Sequence, residues 1–465
     1  MNIKEYKYIY FIGIGGVGMS ALARFFYSKE INIYGYDAVR SQLCKELELE
    51  GINIHYKADI KNIPLDIRSA SNRELLVIYT PAVSLSNIEI QFFINKGMNI
   101  YKRAEVLGMI SDSYFTIAIA GTHGKTTTTT ILSHLLKNSG KRLLAFLGGI
   151  SNNYQTNILV DNNPDILLIE ADEYDRSFLQ LKPDIAIITS VDADHLDIYN
   201  TPSEIENAFI QFASQVKEKG VLFVEESIKI NFPIPKRGFK RTFSSIEKAD
   251  YYANNINMLN GKSYFESLIL DIEKNDRNHL SYEIEFLLPG EHNISNVLAA
   301  IAVCSYLELD IQKIIEGVRT FSGIKRRFEV LVNNQELVFI DDYAHHPEEI
   351  RFTINTVREL FPERMLTVIF QPHLFSRTKD FADQFALSLS LADQLILLDI
   401  YAAREEPITG IDSEMLLSLC SNSVKELCSK NQLLNLLENR EIDVLLTLGA
   451  GDIGGITDSI KHLLN

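Results

Sequence analysis

Residues 115–130 read FTIAIAGTHGKTTTTT, and this stretch decides the fold. Phe115 to Ala120 is a short apolar run closed by Gly121, which predicts a buried strand. Thr126 opens a segment with helical spacing through Leu136. Between them lie Gly121, Thr122, His123, Gly124 and Lys125. A strand, a glycine turn, Lys-Thr and a helix start are the parts of a phosphate cradle. Unpaired N–H groups at the helix start attract an anion, Lys125 offsets charge on the β and γ phosphates, and Thr126 offers its hydroxyl to magnesium. Ile119 stands where the longer G-x-x-x-x-G-K-T pattern has its first glycine, so this is a shorter form confined to a narrower group of ATPases. The predicted ATP contacts are Gly121 to Thr127.

Working outward, the same strand, glycine loop and helix unit occurs first at the N-terminus. Tyr8 to Ile12 is apolar, GIGGVGMS follows, and helical spacing runs from Ala21. Gly13, Gly15 and Gly18 form G-x-G-x-x-G, and Asp37 ends the next strand, Ile31 to Tyr36, 19 residues past Gly18. This loop suits a diphosphate, without fixing which molecule carries it. Leu75 to Tyr79 continues a doubly wound sheet into Thr80-Pro81.

Downstream of the cradle, strands are predicted at Ile166 to Ile169 and Ile185 to Thr189. Glu170 in EADEYD and His195 in DADHLD follow their ends, where an open α/β sheet gathers its ligands. Between about 220 and 288, short β-branched and aromatic runs around Asn260-Gly261 predict a small antiparallel sheet appended to the central domain. Helical spacing returns at Asn293 to Tyr306 and up to Phe321. Strands at Leu337 to Ile340, Leu366 to Phe370, Gln394 to Leu398 and Val444 to Leu448 then alternate with helices. Gly449, Gly451 and Gly454 repeat G-x-G-x-x-G with only 11 residues after them and no acidic partner, so they read as a tight turn. His345 and His346 are adjacent, point apart, and lack partners at metal-ligand spacing.

At 465 residues the chain has room for about three domains of roughly 150 residues each. The expected boundaries give residues 1–111, 112–321 and 322–465. The charge is −16, which argues against nucleic acid. No apolar run is long enough to span a bilayer. Cys44, Cys304, Cys420 and Cys428 show neither zinc nor disulfide spacing, so a reducing, cytoplasmic setting is expected. Lys4 and Lys7 before an apolar run imitate a signal peptide, but four glycines within it favour a phosphate loop.

GIGGVGMS, Thr80-Pro81-Ala82, Arg103-Ala104-Glu105, AGTHGKTTTT, EADE, DADHLD, GEHNISN, KRRFE, DDYAHHPEE, FQPHLFSRT and LTLGAGDIGG follow one another along nearly the whole chain. In this order they resemble the Mur ligases, most nearly the branch that joins L-alanine to UDP-N-acetylmuramate. The resemblance implies an N-terminal Rossmann-like domain for the UDP-sugar, a central P-loop ATPase domain and a C-terminal Rossmann-like domain that closes over both. It implies that Gly13, Gly15, Gly16, Gly18, Met19, Ser20, Asp37, Thr80 and Arg103 hold the UDP-sugar. Thr126, Glu170 and His195 would be ligands of two magnesium ions, with manganese able to substitute. His292, Asn293, Asn296 and Asp342 would contact the nucleotide. Arg326 or Arg327 would reach the phosphates. Tyr343, His345, His373 and Arg377 would take the muramoyl carboxylate and the amino acid.

The implied reaction is ATP-dependent amide formation through an acyl phosphate, with His345 a candidate base because its unperturbed pKa suits the task. The implied partners are UDP-N-acetylmuramate, L-alanine and ATP, with the chain a monomer or weak homodimer and no membrane insertion. Two residues depart from the pattern. Leu374 replaces a family arginine, which removes one carboxylate clamp. Tyr174 replaces a serine and matches the murein-peptide recycling ligases, which attach a tripeptide. A more distant alternative, an NAD-dependent oxidoreductase or nucleotide-binding regulator, has no use for Lys125 and Glu170.

Overall fold

The computed structural model describes residues 6–192, 199, 201–259, 261–270, 279–403 and 405–464. The chain divides into two compact units. One comprises the chain to Asn257 with Ser263–Leu287 and Glu291–Ser322; the other comprises Gly323–Asn465 with Met258–Lys262 and Leu288–Gly290.

The first unit contains two sheets. In the first sheet β1 (Tyr8–Ile12), β2 (Asn32–Tyr36), β3 (Asn53–His55), β4 (Leu75–Tyr79) and β5 (Ile100–Lys102) lie in the order β3-β2-β1-β4-β5, all parallel. The order reverses at β1, so the loop after β1 opens at a switch point, where such sheets bind ligands. That loop is GIGGVGMS, and it leads into the helix Val17–Tyr27.

The second sheet is built from β6 (Phe115–Ala120), β7 (Leu143–Ser151), β8 (Thr156–Val160), β9 (Ile166–Glu170), β10 (Ile185–Ile188), β11 (Val221–Glu225), β12 (Phe239–Ser244), β13 (Tyr251–Leu259), β14 (Lys262–Leu270) and β15 (His279–Phe286). Their order is β15-β14-β13-β12-β11-β10-β6-β9-β7-β8. The residues expected to form a small appended antiparallel sheet therefore extend the central one. β11, β12 and β13 pair in parallel, and β14 with β15 antiparallel. Gly261 takes φ +76° at the tip between β13 and β14, while Asn260 lies outside the described residues. β6 has both neighbours parallel, and its buried run from Thr116 to Ala120 is what a strand covered on both faces requires.

The second unit carries β16 (Glu329–Asn333), β17 (Val338–Asp342), β18 (Leu366–Phe370), β19 (Gln394–Leu398), β20 (Val424–Cys428) and β21 (Val444–Leu448), ordered β16-β17-β21-β18-β19-β20. All pairs are parallel except β16 with β17. The four cysteines are buried free thiols. Among the described residues no helix is long and apolar enough to cross a membrane.

Candidate active site

The phosphate loop is closely packed. Gly124, at φ +81°, caps the helix Lys125–Asn138, and a Cβ there would stand 2.4 Å from Asn296 Oδ1. Glycine is needed for both reasons. Asn296 accepts from the Thr128 hydroxyl at 3.1 Å, so the helix that begins at Glu291 brings Asn296 to the loop, with Asn293 buried three residues earlier on the same helix. Thr189 and Ser190, just past β10, fix its other side. Thr189 donates to the His123 carbonyl at 2.5 Å, and Ser190 accepts from the His123 amide at 2.8 Å. Composition gave no signal for this pair; only their place after a strand did.

Lys125 Nζ reaches Gly121 O at 2.5 Å, Thr122 O at 3.2 Å and the Glu173 carboxylate at 2.8 and 2.9 Å. Burial opposes its charge, but Glu173, Asp172 and Glu170 raise its pKa, so Lys125 stays an ammonium. Thr126 Oγ1 donates to Glu170 Oε1 at 3.0 Å. These are two hard oxygen donors at the mouth of a phosphate loop, the protein's usual share of a magnesium site completed by phosphate and water. A Cβ on Gly148 would stand 1.8 Å from Glu170 Oε2, so β7 leaves a hollow that the carboxylate fills. His195 lies outside the described residues, as does all of DADHLD after Asp192.

The N-terminal glycine loop faces the same place. A cleft of about 170 Å³ is lined by Val17, Gly18, Arg103, Gly148, Glu170 and Asp172. The Arg103 guanidinium lies over Gly18, 2.3 Å from where a Cβ would be, and its Nη2 is 3.9 Å from Asp172. Thr80 packs on Gly13, and Gly16 is open. Asp37 accepts from the Gly15 amide at 2.7 Å, which ties the acidic residue to the loop itself. Met19 and Ser20 are buried, with Met19 in the apolar core and Ser20 bonded to Val17 O and to Asn157, so these two positions offer a ligand the backbone of the first helical turn and not their side chains. Met19, the third residue of the helix, already lies on the face that packs inward.

In the second unit Arg326 also differs from expectation. Its Nε bonds Asp341 at 3.0 Å, Nη2 bonds Gly449 O at 2.6 Å and Nη1 reaches Gly451 O at 3.4 Å. A Cβ on Gly454 would strike this guanidinium. The late G-x-G-x-x-G is thus a turn that holds an arginine, and Arg326 is structural. Arg326→Ala is expected to lower stability by about 3–5 kcal/mol, because Asp341, 1% exposed, is left as a buried charge. Denaturant unfolding measures it.

Arg327 remains, over the Tyr343 ring at 5.1 Å and without an ion pair among the described residues. Asp342 accepts from the Phe328 and Ala344 amides at 2.6 and 2.7 Å. Burial pushes its pKa up to about 6, against Arg327 and those two amides. The burial cost is therefore present above pH 6 and is relieved as pH falls toward the ordinary 3.8. The charged acceptor is lost over the same window. If Asp342 holds a ribose, ATP affinity falls as pH drops through 6, and Asp342→Asn, already uncharged, shows a smaller fall in parallel titrations.

Tyr343, His345, His373 and Tyr401 form a ladder of rings, with Tyr343 to His345 at 5.3 Å, His345 to His373 at 6.1 Å and His373 to Tyr401 at 5.8 Å. Burial, with Arg377 and Arg327, pushes His345 down to about 4 despite Glu349. It is neutral at pH 7, with Nδ1 3.1 Å from the Tyr343 carbonyl, and a weaker base than an unperturbed imidazole. Arg377 Nη1 is buried without a hydrogen-bond partner among the described residues, a donor set for an anion. Leu374 holds φ +72°, unusual for a bulky residue, with its amide on Tyr401 O at 3.0 Å.

Similarity to known proteins agrees with this geometry. The Mur ligase family catalytic domain matches residues 8–115, the Mur ligase middle domain 119–304, and the Mur ligase glutamate ligase domain 326–451. The UDP-N-acetylmuramate–L-alanine ligase of Flavobacterium johnsoniae is 44% identical over 465 residues, covering 100% of this chain and 99% of that one. The crystal structure of the UDP-N-acetylmuramate-alanine ligase of Thermotoga maritima superposes with a TM-score of 0.81 at 28% identity, covering 98% and 99%. A murein peptide ligase from Psychrobacter arcticus shares the fold, with a TM-score of 0.72 at 22% identity and 98% of each chain. With its three sheets matched in order by these three domain models, the chain belongs to the Mur ligase family.

Proposed function

We propose that this chain joins L-alanine to the carboxylate of UDP-N-acetylmuramate with cleavage of ATP to ADP and phosphate, a cytoplasmic step of peptidoglycan precursor synthesis. One observation carries the reading. Gly18 and Arg103, on the UDP-sugar side, and Glu170, on the ATP side, line a single cleft, so an acid and a γ-phosphate can meet there. The alanine branch is favoured over tripeptide recycling because an L-alanine ligase is 44% identical to this chain over 465 residues.

A carboxylate oxygen of the muramoyl group attacks the γ-phosphorus, the bond to the β,γ-bridging oxygen breaks, and ADP leaves. Lys125 offsets charge on the phosphates as this occurs. Thr126 and Glu170 would hold magnesium, which when bound neutralises phosphate charge. Arg103 orients the acid. The alanine amine, freed of one proton, attacks the acyl carbon, and phosphate departs with a carboxylate oxygen. Arg377 is proposed to bind the alanine carboxylate, and neutral His345 to accept a hydrogen bond from the amine. The phosphate is the stronger final proton acceptor.

The test is phosphate release from ATP, magnesium and UDP-N-acetylmuramate with L-alanine, glycine, L-serine or tripeptide added singly. Release with L-alanine above the others is expected. Release with tripeptide alone makes the chain a recycling ligase, and no amine-dependent release sinks the ligase reading.

A further inference from the structure

We propose that Glu405 is a positioning residue for the amino acid, capping the short helix that carries Arg377; this rests on the reading above in which Arg377 binds the alanine carboxylate. The helix runs from Phe375 to Asp380, and Leu374 stands at its N-cap with no side chain able to accept a hydrogen bond. Six residues make too few internal bonds to hold a helix alone. Leu374 also sits at φ +72°, a conformation that persists only where neighbours enforce it.

The enforcing contacts come from the loop after β19. Tyr401 donates its amide to Pro372 O at 2.8 Å, and its carbonyl accepts from the Leu374 amide at 3.0 Å. Glu405, tied into the same loop by its amide on Ala402 O at 2.9 Å, accepts from the Ser376 amide at 2.9 Å and from the Ser376 hydroxyl. Burial opposes its charge, yet Ser376, the Phe375 amide and His373 hold its carboxyl below the usual range. It is therefore an ionised cap at neutral pH, and it occupies the first amides of the helix. An anionic substrate group meets the Arg377 side chain instead, whose Nη1 is buried and unbonded among the described residues. Arg377 follows Ser376 directly, so a loosened first turn shifts the guanidinium itself.

The experiment is steady-state kinetics of the full chain with each substrate varied in turn, alongside denaturant unfolding. Glu405→Ala is expected to raise the L-alanine KM about 10–100-fold, while the KM values for ATP and UDP-N-acetylmuramate stay within about 2-fold. Glu405→Gln keeps a carbonyl oxygen at the cap and should recover most of that loss. Ser376→Ala retains the capped amide and should give a smaller rise in the same KM, which serves if Glu405→Ala folds poorly. An unchanged L-alanine KM in these variants, or equal rises for all three substrates, overturns the proposal, because a scaffold role moves all alike. So does a Glu405→Gln chain as impaired as Glu405→Ala, since charge and not capping would then be at work. An unchanged L-alanine KM in Arg377→Ala would instead overturn the carboxylate assignment on which the proposal rests.

Discussion

Lys125→Ala is expected to lower kcat by roughly 10²–10³-fold, because it removes a buried charge aimed at the place where phosphate charge develops. It is also expected to destabilise the fold. Lys125 is 13% and Glu173 1% exposed at the side chain, so the substitution leaves a buried carboxylate without its ammonium, at a cost of about 3–5 kcal/mol. The two effects separate in the double variant Lys125→Ala/Glu173→Gln, which should regain most of the stability and none of the rate. Denaturant unfolding and single-turnover phosphate release check the pair. Full activity in Lys125→Ala would remove the phosphate-loop assignment.

Gly148→Ala should weaken magnesium binding by about 10–100-fold, the usual effect of disturbing what orients a metal ligand. A methyl group at this position lies 1.8 Å from Glu170 Oε2, so the carboxylate must turn away from Thr126. Gly148 is exposed, and its change creates no cavity and breaks no core contact. The melting temperature should therefore stay close to that of the parent while the apparent magnesium constant rises in activity titrations. ATP binding in EDTA should be unaffected. A normal magnesium constant would show that Glu170 does not need this hollow.

Both largest effects involve residues that the sequence treats unequally. Lys125 was legible because its chemistry depends on local order: strand, two glycines, lysine and threonine occupy adjacent positions. Gly148 and Glu173 were not, because each acts through a neighbour far away in sequence. Gly148 meets Glu170, and Glu173 meets Lys125, 48 residues earlier. Ser20 shows the opposite failure. It belongs to a recognisable motif, yet helix geometry turns its side chain to Asn157 on β8, which no spacing rule records.

The sheets divide along the same line. Strands buried on both faces, such as β4, β6, β18 and β21, are continuous apolar runs and could be read directly. The three-residue β3 and β5 could not, nor could β20, with Lys425 and Glu426 in it, because edge strands satisfy a partner on one side only. β7 carries Gly148 and Gly149, which weaken its strand signal where it approaches Glu170. In the second unit, the pairing of Arg326 with Asp341 and the β21 turn decides which arginine of the pair is free, something two adjacent identical residues cannot reveal.

In the acyl-phosphate route one carboxylate oxygen of UDP-N-acetylmuramate leaves on phosphate as an amide to L-alanine forms. Substrate labelled with ¹⁸O in that carboxylate, incubated with the chain, ATP, magnesium and L-alanine, tests it most directly. Mass spectrometry should find UDP-N-acetylmuramoyl-L-alanine, with one labelled oxygen in phosphate for each amide formed. Amide formation with unlabelled phosphate, or phosphate release without amide, would contradict the account.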